Sequence, residues 1–233
     1  MISKTLKTTN GKLEVRIPSQ LKEVSIGQMM QLQDAPNLGD IQAISILSGV
    51  PLADLQEVTN AADFMVYADS IQNLSHEIAT LYNSDAIPKT ITVNWNGGPV
   101  TVDVTKNLSV EPAGAFMAAR DVIADEIAEH IKTYGAENWQ DYFKPSLLAC
   151  AKVLAYYLFC RVTGLKFDET AAANFVEIIK ELGVTEALPV AKHFFMNYPD
   201  LSKPKTGFWQ QVLPLLKKGL AYILSKSLGI SIP

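Results

Sequence analysis

The chain has 233 residues, 48% of them hydrophobic and 19% charged, with a formal net charge of −4 at pH 7. That balance fits a packed globular protein with a sizeable core and excludes a disordered chain. No apolar run reaches the roughly 20 residues that a membrane span needs. The strongest candidate, Leu147 to Cys160, is broken by Lys152 and closed by Arg161, and reads as a buried helix. Met1-Ile2-Ser3-Lys4-Thr5-Leu6 has no apolar signal core, so no secretory leader is expected. Cys150 and Cys160 are the only cysteines. On one helix they would stand about 15 Å apart, beyond disulfide reach, and free buried thiols suit a reducing cytoplasm.

An alternating stretch, then Asn10-Gly11, then Lys12 to Ile17 predicts a hairpin with a type I′ turn, and Pro18 ends its second strand. Ser25 is placed to cap a short helix. Asp40 to Ser48 reads as a second helix stopped by Gly49, with Pro51 as the first residue of a third. Asn60 is placed to cap a longer amphipathic helix carrying Phe64, Tyr67, Ile71, Leu74 and Ile78 on one stripe. After the turn-rich Asn83-Ser84-Asp85, Ile91, Val93 and Trp95 alternate, Asn96-Gly97-Gly98 turns, and Val100, Val102 and Val104 return. Pro112 starts a helix running to about Thr133 and ended by Gly135. Glu137 to Lys144 reads as an insertion, followed by a helix from Pro145 to Thr163 ending at Gly164. Asp168 is placed to cap a helix running to Gly183, and Thr185 another to about Tyr198. A last helix, Gly207 to Leu228, contains Pro214, which should kink it.

The chain repeats itself. A shift of about 87 residues lays Gly11 to Ile17 on Gly98 to Val104, Leu21 on Leu108, Gly27 on Gly114, Met30 on Met117 and Asp34 on Asp121. A looser echo sets Ser48-Gly49-Val50 against Thr163-Gly164-Leu165, each followed by small residues and a Phe, Phe64 or Phe175. The expected class is α+β, helix-dominated: two related units of a β-hairpin plus helices, residues 1–85 and 86–200, and a C-terminal amphipathic helical arm, 201–233. The hairpins are expected to join in one small sheet or to pack on helices, since each alone is marginal in water.

All 24 acidic residues lie at or before Asp200, whereas Lys203, Lys205, Lys217, Lys218 and Lys226 follow it. Residues 1–200 therefore carry −9 and residues 201–233 carry +5. Such a segment suggests its own partner. Its partner-binding candidates are Phe208, Trp209, Leu216, Lys217, Lys218 and Ile223.

Motifs for chemistry are sparse. Glu126 and His130, four apart, share a helix face, while Asp121, Asp125 and Glu129 share another; a carboxylate-oriented His can serve as base or metal ligand. The Glu-x-x-His pair of di-metal bundles is absent, so a solvated helix face is the favoured reading. His76 and His193 stand apart from each other and from both cysteines. Asn96-Gly97-Gly98 sits between strands, so it reads as a turn and not a phosphate cradle. No catalytic, cofactor-binding or metal-binding residue is assigned, and no cofactor is expected. An acidic body argues against nucleic acid despite the aromatic residues in the basic segment.

Leu21-Lys22-Glu23-Val24-Ser25-Ile26-Gly27-Gln28 after a strand, then Ile46-Leu47-Ser48-Gly49-Val50-Pro51, resembles small virion and assembly proteins of tailed bacteriophages. The likeness covers residues 12 to about 75; in the second copy Val110-Glu111-Pro112-Ala113-Gly114-Ala115 keeps only the glycine. The resemblance implies a non-enzymatic structural or assembly protein that binds other particle proteins in a multi-copy assembly, as a virion component or a tail-assembly chaperone. It also implies a location in the host cytoplasm during assembly, or in the virion, with neither small-molecule substrate, nucleic acid nor membrane as partner. Two alternatives stay open. One is an enzyme or small-ligand binder with a pocket between the units, using Glu126 and His130. The other is a peripheral membrane protein using the basic C-terminal helix.

Overall fold

The fold was analysed in a computed structural model, which describes residues 1–35, 38–79, 86–107, 110–135 and 143–201. The first half runs β1 (Ile2–Thr8), β2 (Gly11–Ile17), a 3-10 turn (Leu21–Glu23), α1 (Ile26–Gln33), α2 (Asp40–Ser48), α3 (Leu52–Gln56), a 3-10 helix (Ala61–Tyr67) and α4 (Ala68–Ala79). The second runs β3 (Thr90–Trp95), β4 (Gly98–Asp103), α5 (Ala113–Tyr134), α6 (Leu147–Thr163), α7 (Glu169–Asn174), α8 (Val176–Ile179) and α9 (Val184–Leu201). The class is helix-dominated α+β. The two halves follow nearly the same order: hairpin, helix, glycine-capped helix, two short helical pieces and a longer helix.

The repetition reaches atomic detail. In the first hairpin Lys4 pairs with Val15 and Leu6 with Leu13; in the second, Ile91 pairs with Val102 and Val93 with Val100. Those pairs coincide under the 87-residue shift, and so do the first residues of α1 and α5, Ile26 and Ala113. Gly49 and Gly164 end α2 and α6 in the left-handed region, at φ 71° and 69°. The residue before each, Ser48 or Thr163, donates its hydroxyl to the carbonyl four residues back and accepts the amide two residues on. Glycine suits that position because a side chain there meets its own carbonyl.

The hairpins do not join. They form two separate two-stranded sheets packed on helices. The second turns on Asn96 and Gly97, both at positive φ as a type I′ turn requires. The first departs from expectation: Thr8 pairs with Gly11, so Thr9 and Asn10 make the turn and only Gly11, at φ 146°, leaves the usual region. The outer edge of β1 is occupied by residues 57–59, through Thr9 N–H to the Glu57 carbonyl (3.0 Å) and Thr59 N–H to the Lys7 carbonyl (3.0 Å). On β4, Pro99 has no amide and the Asp103 carbonyl is taken by Arg161, so that edge offers a broken ladder to any further strand.

One continuous core runs through both halves, from Leu6, Val15 and Ile17 to Phe194 and Phe195. The halves also meet through backbone: the amides of Ile26 and Gly27, the first two of α1, donate to the carbonyls of Leu182 (2.9 Å) and Lys180 (2.8 Å), and Val184 N–H returns to the Val24 carbonyl (2.8 Å). At its centre lies α6, with eleven buried residues that include Cys150, Leu154, Tyr157 and Phe159. Ser146 caps it and alanine and leucine favour its winding. Cys150 is fully buried and its thiol is pushed up by that burial; Cys160, partly exposed, is raised in the same way. Both thiols are free.

Other boundaries differ from the sequence reading. Pro51 is the cap of α3 and lies outside the helix. Asn60 caps as expected, but residues 61–67 wind as a 3-10 helix before α4 begins. At their end Tyr67 is buried, its hydroxyl donating to the Val15 carbonyl at 3.0 Å, so a strand contact and not the helical stripe sets its position. Asp168 caps α7, yet the helix breaks at Phe175, whose buried ring packs edge-on against Trp95 and Phe159. The last described helix begins at Val184, before Thr185, and continues to Leu201. Asn83-Ser84-Asp85, most of the 137–144 insertion and the Gly207–Leu228 helix lie outside the described residues.

Candidate interaction surfaces

The residues that carry the phage-protein resemblance are engaged in holding the first half together. The Ser25 hydroxyl accepts the Gln28 amide (3.2 Å) and the Gln28 side-chain oxygen accepts the Ser25 amide (3.0 Å), a reciprocal cap on α1. The other end of the same Gln28 amide donates to the carbonyls of Leu47 (2.9 Å) and Ile46 (3.4 Å) at the end of α2. One side chain thus ties the two quoted motifs to each other. Glu23 accepts the Ser19 amide at 2.8 Å and pairs with the Met1 ammonium at 2.7 Å; these contacts, the ammonium first, hold its carboxyl down at about 2. Gln28→Ala is expected to lower stability by about 1–2 kcal/mol, since it removes half the cap and leaves helix-end carbonyls without a donor. A shift in the urea midpoint would measure it.

Between α5 and α6 runs a groove of about 340 Å³ lined by Asp125, Glu126, Glu129, Ser146, Leu148 and Lys152, among others. Glu126 is already bonded: its carboxylate accepts the Ser146 amide at 2.6 Å and so serves the first turn of α6. His130 is not part of the groove lining. Its ring lies between Tyr134 (centroids 4.7 Å apart) and Phe143 (5.1 Å), with Nε2 buried and without a hydrogen-bond partner. Glu126 and His130 therefore do not both line this groove. Asp121, Asp125 and Glu129 are exposed, as a solvated face predicts. His76 is exposed too. His193 Nε2 meets the Lys106 carbonyl at 3.1 Å while Asn197 donates to its Nδ1 side, which places the ring proton on Nε2. Among the described residues no cluster of three or more His, Cys, Asp or Glu could hold a metal ion, and no helix is long and apolar enough to cross a membrane.

Among the described residues the most buried charge belongs to Glu111, just before α5. Arg161 of α6 donates to it through Nε (2.7 Å) and Nη2, and also reaches the Asp103 carbonyl and the Thr105 hydroxyl. Its guanidinium lies 5.2 Å from the centre of the Tyr157 ring, and the Tyr157 hydroxyl accepts the Thr105 amide at 2.7 Å. This cluster fixes the connection from β4 to α5. Spacing along the chain gives no sign of it, because the partners stand 50 or more residues apart.

What faces outward is apolar in places. Met65 and Val66, in the 3-10 helix, are 72% and 44% exposed; Val110, Met117 and Leu165 are 60%, 50% and 58% exposed. Met65 and Val66 stand off the expected stripe of Phe64, Tyr67, Ile71, Leu74 and Ile78, and in the structure they face outward. The six partner-binding candidates, Phe208, Trp209, Leu216, Lys217, Lys218 and Ile223, lie outside the described residues.

No protein-family model, curated protein or solved structure matches this chain.

Proposed function

We propose that this chain is a non-enzymatic structural or assembly protein of a tailed-phage particle, acting through contacts with other particle proteins in a multi-copy assembly. The supporting observation is the use of the motif residues: Ser25 and Gln28 cap one helix and tie it to the next, so they serve architecture and leave no reactive group at the surface. Two features offer contacts: the exposed apolar side chains Met65 and Val66 in the structure, and in the sequence a basic, acid-free C-terminal segment. Apolar contact dominates such docking, at roughly 1.5–3 kcal/mol for each large side chain buried. Exposed lysine pairs add at most about 1 kcal/mol and serve mainly to orient.

Deleting residues 207–233 tests the reading. The expected result is lower solubility or loss of co-assembly with other particle proteins, from the removal of a docking segment. A truncated chain that stays soluble, melts at the same temperature and still co-assembles would overturn the role given to the segment.

A further inference from the structure

After Leu201 the chain continues for 32 residues that hold five lysines and no acid. Beyond Pro214, at helical spacing, Leu216, Leu220 and Ile223 share one face and Lys217 stands at its border. A face that is apolar in the middle and basic at one edge matches a groove with apolar walls and a carboxylate rim.

The groove between α5 and α6 has that lining. Its carboxylates, Asp125, Glu126 and Glu129, outnumber its one lysine, Lys152. Glu126 is committed to the Ser146 amide. Asp125 has no ion pair among the described residues, and Glu129 meets Lys132 only across 3.5 Å, with both side chains exposed. Val122 and Leu148 supply the apolar part, and Leu148 is 43% exposed.

The described chain ends within reach of it. Phe195 of α9 packs on Phe143, ring centroids 5.8 Å apart, and Phe143 packs on His130 at 5.1 Å. His130 follows Glu129 directly in α5. From Phe195 to Leu201 is about 9 Å of helix, and residues 202–214 can span up to about 40 Å. A segment on so short a tether meets its own groove at an effective concentration on the order of millimolar, far above that of a second copy in dilute solution.

We infer that residues 215–228 dock in the α5–α6 groove of their own chain, with Leu216 and Leu220 against Val122 and Leu148 and with Lys217 beside Asp125 and Glu129. Burial of the apolar face supplies the affinity, and the charges set which way the segment lies. This contact is internal, so it goes beyond the assembly reading and does not depend on it.

Carbodiimide coupling of the full-length chain, which joins a lysine amine to a carboxylate in contact with it, tests the placement. The monomer should yield an amide between Lys217 and Asp125 or Glu129, located by mass spectrometry. In an equal mixture of isotope-labelled and unlabelled chains, both joined peptides should come from one chain. Hydrogen exchange gives a second readout. D125K should speed exchange of the 215–228 amides about fivefold, the weight of one exposed ion pair, and the charge swap D125K/K217E should restore it. L148E should speed it further. No coupling of Lys217 to either carboxylate in the monomer, coupling only between labelled and unlabelled chains, or exchange unmoved by D125K and L148E would each overturn the inference. A segment found free by these measures yet needed for co-assembly would overturn the docking and leave the assembly reading standing.

Discussion

Replacing Arg161 by alanine is expected to cost about 3–5 kcal/mol of stability, the range for removing one partner of a buried ion pair. The side chain of Glu111 is 4% exposed, and its carboxylate would be left without its cation in a site that water barely reaches. Arg161 also holds the Asp103 carbonyl and the Thr105 hydroxyl, so the strand-to-helix connection loosens with it. Urea unfolding measures the loss. The double variant Arg161→Met with Glu111→Leu should recover most of it, since removing both charges leaves no buried ion unpaired. A single variant within about 1 kcal/mol of wild type, the usual worth of an exposed pair, would show that Glu111 is well hydrated without Arg161.

Gly27→Ala is expected to destabilise by about 1–3 kcal/mol, the usual range for overpacking, even though alanine is the better helix former by about 1 kcal/mol. The obstacle is backbone. The Lys180 carbonyl that a new methyl would press on at 3.2 Å is the acceptor of the Gly27 amide itself, so it cannot retreat without stretching that bond. Gly114→Ala is the internal comparison. There the Cβ would come within 2.6 Å of an edge of the Phe167 ring, a side chain that can swing aside, so the net change should be smaller. Thermal melts of the two variants, read together, separate backbone from side-chain obstruction. Equal effects at both positions would contradict this assignment.

The parts of this architecture set by local chemistry were legible from the chain alone. Turn residues and caps placed both hairpins, α1, α2, α5 and α6, and the shared hydroxyl-glycine ends of α2 and α6 follow from Ser48-Gly49 and Thr163-Gly164. Where a distant partner decides, the reading failed. The break at Phe175 answers to rings on Trp95 and Phe159, and Tyr67 at the end of the 3-10 helix answers to a carbonyl on β2. The turn of the first hairpin sits one residue earlier than expected, on Thr9 and Asn10, because Gly11 pairs directly with Thr8. Of the candidate groups, the spacing of Glu126 and His130 was right for a shared helix face. It could not reveal that Ser146 binds one and aromatic rings enclose the other. The exposed pair Met65 and Val66, by contrast, lies off the stripe of Phe64, Tyr67, Ile71, Leu74 and Ile78, where that spacing leaves a residue outside the core face.

The seating of residues 180–184 on the start of α1 also bears on how the chain comes into being at the ribosome. A protein made from its N-terminus at about 5–20 residues per second exposes the α1 amides long before the carbonyls that satisfy them exist. At that pace the delay is roughly 10–30 s. During it the chain has nothing to close over Val24, Ile26 and Gly27. Nascent chains halted before Leu182 therefore carry an open seam where the finished molecule is sealed, and completion of the second half is the event that locks the first.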